Sequence, residues 1–123
     1  MMCFVGMPTV LYGDELGLTG EIEEDYRAPM PWNGGDRELS AFFHEAIALR
    51  RDHIALRRGD FHLVKAEDRL LVFERHCDSE TILVAINAGD QAATFHSEGR
   101  PMRVHGYDGE MIEPYGWAVL ENF

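Results

Sequence analysis

The chain has 123 residues, 46% of them hydrophobic and 27% charged, enough for one globular domain by length alone. Its 22 acidic and 11 basic residues give a net charge of -11, and four of the arginines crowd into LRRDHIALRR at a predicted helix end, so no nucleic-acid partner is expected. Two cysteines, Cys3 and Cys77, do not make a disulfide framework, and the six scattered histidines have no metal-ligand spacing. Free thiols in a reducing, cytoplasmic compartment are therefore expected, with no metal and no cofactor.

Taken in order, the apolar start MMCFVGMPTVLY has no basic leader and no small-residue cleavage site, and it is too short to span a membrane. No membrane partner is expected, and a signal further upstream stays open. Residues 4–13 read as a buried strand, because Thr9, Val10, Leu11 and Tyr12 are strand formers between turn residues. GMPTVLYG is not a phosphate loop, since no Gly-Lys-Ser/Thr follows. Residues 14–35 read as a long acidic loop, of a length that is usually functional or mobile. Asp36 is a candidate N-cap for a helix over 37–52, where Leu39, Phe42, Phe43, Ala46 and Ile47 form one apolar face. Arg50 falls on that face, either as a snorkelling stem or as half of a partly buried ion pair.

Gly59 closes the helical segment, and from Asp60 the apolar period changes to two. Strands are predicted at 61–65, 70–76, 81–87, 93–96, 102–105 and 117–120, separated by polar turns, which is the pattern of an antiparallel β-sandwich.

GMPTVLYGDELGL followed by DYRAPMPW resembles the eighth barrel strand and following loop of the alpha-amylase family, glycoside hydrolase family 13. The similarity is to the neopullulanase, cyclomaltodextrinase and maltogenic amylase type. FFHEAIALRRDHIALRRGDF is similar to that family's last barrel helix and its exit, and LLVFERH and ETILVAIN to the first strands of its C-terminal domain. The resemblance implies an α+β fragment: residues 1–58 as the last strand and helix of a TIM barrel, and residues 59–123 as a β-sandwich domain. It implies an α-glucan or maltooligosaccharide as the substrate of the intact enzyme, cleaved with retention. The catalytic carboxylates would lie on earlier strands, so no catalytic residue is assigned and the isolated chain is expected to be inactive. A stand-alone carbohydrate-binding or interaction module is the alternative, and a truncated gene product a third reading.

Glycoside hydrolysis needs two facing carboxyl groups, about 5 Å apart for retention and about 6.5–9.5 Å for inversion. Asp14 and Glu15 are adjacent at a predicted strand end and would point to opposite faces. Glu21 and Glu24 read as solvated loop acids. Asp25 and Arg27 are better suited to bracket vicinal sugar hydroxyls, as acceptor and donor. In the resembling family an acid and an arginine of this loop contact glucose units; Arg27 matches by motif position, and the acid is Asp25 or Glu23. Trp32 offers a ring for stacking on sugar or for packing. Glu15 reads as a structural carboxylate at a strand end, and Arg50 as a structural arginine. Without the rest of a barrel, the apolar strand and helix face are expected to drive self-association into a homo-oligomer.

Overall fold

The computed structural model describes residues 1–22, 24–78 and 80–122, with Tyr26 described by its backbone only. Among the described residues of 1–35, the regular elements are two single 3-10 turns, Asp14–Leu16 and Asp25–Arg27. The strand expected over 4–13 does not form. Its composition favours a strand, but a strand needs a neighbour to complete its backbone hydrogen bonds, and none of the six strands pairs with this segment.

Helix α1, Arg37–Asp52, follows the predicted span, and Asp36 caps it by accepting from the Glu38 and Leu39 amides at 2.9 Å each. None of its residues is buried, so the apolar face remains largely uncovered. A corner at His53 leads into α2, Ile54–Arg58, whose Ala55 and Leu56 are fully buried. Gly59 then makes the step into the sheet. A Cβ there would lie 2.4 Å from the Ala55 carbonyl oxygen and 2.7 Å from that of His76, so only glycine fits this close approach.

Six antiparallel strands follow: β1 (Asp60–Glu67), β2 (Leu70–Cys77), β3 (Glu80–Asn87), β4 (Ala93–Thr94), β5 (Arg100–Tyr107) and β6 (Met111–Asn122). They hydrogen-bond into one sheet with the order β1-β2-β3-β6-β4, and β5 also pairs with β6. The expected strands are present, but β4 is shorter and β6 begins six residues earlier than the sequence pattern indicates.

Alternation sorts the core onto two faces. Leu70, Val72, Leu83, Ala85, Ala118 and Leu120 pack on one side with Phe95 and Ile112. Phe73, Ile82, Val84 and Val119 pack on the other, beneath Ala55 and Leu56 of α2. Because the central strand β3 is covered on both sides, ETILVAIN is a nearly continuous apolar run.

Candidate functional site

The loop singled out by sequence is anchored at both ends. The Gly13 amide donates to Glu15 at 2.9 Å, and the Asp36 amide donates to the Leu16 carbonyl at 2.9 Å. Glu15 is thus bonded within its own turn. The Tyr12 hydroxyl donates to the Ala28 carbonyl at 3.1 Å, tying the far end of the loop back. Asp25 and Arg27 share one exposed 3-10 turn, and the Asp25 carboxylate accepts the Glu21 amide at 3.2 Å. Trp32 is 81% exposed. Glu23 lies outside the described residues. The aromatic, the guanidinium and the carboxylate are therefore on one exposed loop, and among the described residues the two cavities beside α1 are not lined by Asp25, Arg27 or Trp32.

The larger cavity, about 820 Å³, lies between residues 1–9, helix α1 and the sheet face carrying Phe73, Trp117 and Val119. Its wall is apolar, with Phe42 of α1 tilted 5.7 Å from the Trp117 ring. The sequence reading missed this groove. Its signal was the apolar stripe of α1 set against the alternating residues of β2, β3 and β6.

Two arginines fasten the N-terminal segment to the rest. Arg50 donates to the carbonyls of Met2 at 2.7 Å, Phe4 at 3.1 Å and Gly6 at 2.5 Å. Arg75, 1% exposed, donates to Cys3 and Phe4 and also to Leu56 and Gly59, at 2.8–3.1 Å. Among the described residues neither has a carboxylate partner, so the ion pair considered for Arg50 is replaced by main-chain carbonyls. A planar fork of donors spans several carbonyls at once, which an ammonium could not match. Burial and the neighbouring Arg50 charge push Arg75 below the usual guanidinium range. Burial also pushes the thiol of nearby Cys3 up, and both cysteines are free.

The helix–sheet corner has its own clasp. His53, the N-cap of α2, makes no side-chain cap, and Glu80 at the start of β3 supplies one. One Glu80 oxygen accepts the Ala55 amide at 2.7 Å, and the other lies 2.6 Å from His53 Nδ1. Burial raises the Glu80 pKa, but the Ala55 amide and His53 outweigh it and hold the carboxyl below the usual glutamate range. A depressed carboxyl stabilises the fold fully above its unfolded value, about 4.3, and that contribution is lost as pH falls through the lower folded value. Glu80→Gln is therefore expected to lower stability by about 1 kcal/mol at neutral pH. It should also shrink the acid limb of a stability–pH profile taken by urea unfolding; an unchanged limb would rule the clasp out.

The alpha-amylase C-terminal domain family matches residues 59–99, the segment from the Gly59 step through β3 and β4. A cyclomaltodextrinase of Geobacillus thermopakistaniensis is 36% identical over 96 residues, covering 75% of this chain and 16% of that protein. The chain belongs to the alpha-amylase family. A second cyclomaltodextrinase of this family, from a Bacillus species, is 40% identical over 88 residues, covering 68% of this chain and again 16% of the relative. The acarbose-soaked debranching enzyme of Nostoc punctiforme superposes with a TM-score of 0.81 at 27% identity, over 98% of this chain and 27% of that one. The chain thus spans about a sixth of the length of the curated family members it matches. Among the described residues no helix is long and apolar enough to cross a membrane, and no cluster of His, Cys, Asp or Glu is arranged to hold a metal.

Proposed function

We propose that this chain is the C-terminal part of an α-glucan-acting glycoside hydrolase that cleaves with retention and works in the cytoplasm. Residues 1–58 are read as the end of its catalytic barrel and residues 59–123 as its C-terminal β domain. The observation that carries this is the likeness to the Nostoc punctiforme enzyme, which extends over 98% of the chain, the N-terminal loop and α1 included, and not only over the sheet. The names of the relatives supply the substrate class: cyclic and linear maltooligosaccharides and related α-glucans. In this reading Arg27, with Asp25 or Glu23, hydrogen-bonds sugar hydroxyls, and Trp32 stacks on a ring. Glu15 and Arg50 hold the loop and the N-terminal segment in place.

The purified 123-residue chain is expected to release no reducing sugar from starch, pullulan or cyclodextrin. Steady release, abolished by mutating any one acid of this chain, would overturn the reading. In a full-length protein containing this segment, Arg27→Ala should weaken long oligosaccharides by about 1.5–3 kcal/mol, the value of a hydrogen bond from a charged donor. Equal kinetics on long and short substrates would remove the loop from the binding site.

The chain by itself is expected to self-associate. Met7 is 90% exposed, and Phe4, Val5, Leu11, Phe42 and Ile47 are also exposed around the uncovered face of α1. Contiguous apolar surface of this kind is removed from water by pairing. Light scattering at micromolar concentration should find a dimer or larger species, and a monomer at high concentration would count against it.

A further inference from the structure

Tyr115 has a backbone conformation that its residue type avoids. Four described residues other than glycine have left-handed φ: Asp68, Arg69, Asp78 and Tyr115. Asp68 and Arg69 form the two-residue turn between the paired Glu67 and Leu70, where such angles are the rule. Asp78 stands in the turn after β2 and is a residue type that tolerates them. Tyr115, at φ 59, lies inside β6 with its bulky side chain 68% exposed. For an aromatic residue this is an outlier, and strain of this kind persists only where the surroundings impose it.

The surroundings do impose it. Asn87, 1% exposed, donates to the carbonyls of Gln91, Ile112 and Glu113 and accepts the Gly89 amide at 2.9 Å. The Tyr115 amide donates to the Gly89 carbonyl at 3.2 Å. A Cβ on Gly116 would meet the His105 carbonyl oxygen at 2.8 Å and the Ile112 side chain at 2.9 Å, so the bend is fixed on both sides. What this frame presents is a phenol ring with no hydrogen-bond or ring partner among the described residues. Asp90 follows Gly89 directly, and the Arg69 side chain lies across Gly89, close enough that a Cβ there would be 3.4 Å from the Arg69 Cβ. Both are exposed, and among the described residues neither side chain is paired.

We infer that Tyr115, Arg69 and Asp90 form a second sugar-binding platform, for a linear α-glucan. A pyranose offers an apolar C–H face and a rim of vicinal hydroxyls. A ring takes the first, and a guanidinium and a carboxylate take the second as donor and acceptor. The same three chemistries recur in Trp32, Arg27 and Asp25, on a separate segment of the chain. The choice of an α-glucan rests on the proposed function above; the site itself does not.

The test is a titration of the 123-residue chain with maltoheptaose, followed by amide and side-chain NMR. Saturable shifts at residues 69, 89–90 and 113–116 are expected. Tyr115→Phe should keep them, and Tyr115→Asn should weaken binding about two- to tenfold, as loss of a stacking ring does. Asparagine tolerates left-handed φ, so this variant should be no less stable than the parent. A large loss of stability in Tyr115→Asn would make the ring a packing residue and overturn the platform. Shifts confined to residues 24–32 would sink the platform and leave the loop reading intact, and shifts confined to the platform would do the reverse. No shift in either set of residues overturns the platform as an α-glucan site.

Discussion

Arg75→Met is expected to lower the stability of the chain by about 3 kcal/mol, the largest effect of any single side chain in the helix–sheet junction. Arg75 is buried, and its carbonyl acceptors at Leu56 and Gly59 are buried with it. Methionine fills similar space and spares the cost of burying a charge, and that alone would be stabilising. It leaves two buried carbonyls without donors, however, at about 1–3 kcal/mol each, and two more at Cys3 and Phe4 partly exposed. The orphaned acceptors outweigh the saved desolvation. Arg75 Nε already lacks a partner, so the parent is not at its optimum and the upper end of the range is not reached. Arg50→Met removes donors only from the rim carbonyls of Met2, Phe4 and Gly6, and should cost about 1 kcal/mol. Urea midpoints followed by Trp117 fluorescence separate the two. Equal shifts would mean that Arg75 does no more than hold the N-terminal segment.

That junction marks the limit of what the sequence made legible. Helix α1 was readable because its apolar spacing and Asp36 cap are local, and they act the same way whatever surrounds them. β2 and β3 were readable because alternation and turns are local too. The segment over 4–13 misled for the converse reason: a strand is completed by a neighbour, and strand-forming residues do not reveal whether one is present. The first half of β6 was hidden because Pro114 and Gly116 interrupt the strand pattern, and the bend there is held from outside by Asn87. At the candidate site, Asp25, Arg27 and Trp32 were found as residue types on a loop, and the structure keeps them on one loop. Residue types on a loop do not say whether a cavity adjoins them. Arg75 had a signal that went unused. It follows Leu71 and Phe73 at spacing two, so the alternation already put a guanidinium on the buried face.

The same logic of buried donors predicts the behaviour of Asn87. Asn87→Leu should cost about 2–4 kcal/mol, since it leaves the buried Gly89 amide and Ile112 carbonyl unpaired while adding little apolar contact. The amide nitrogen has two hydrogens for three carbonyls, so one of these bonds is shared, and the loss falls short of the sum of four separate bonds. Asn87→Asp should be worse. It keeps the acceptor for Gly89 but turns an oxygen toward the carbonyls of Gln91, Ile112 and Glu113, and burying a carboxylate against carbonyl oxygens is costly. In both variants the bend loses its anchor, and amide exchange at Gly89 and Tyr115 should rise well before exchange in the centre of β3. If Asn87→Asp matched or exceeded Asn87→Leu in its urea midpoint, the three carbonyls would have to be satisfied by water, and the rigid frame behind Tyr115 would not exist.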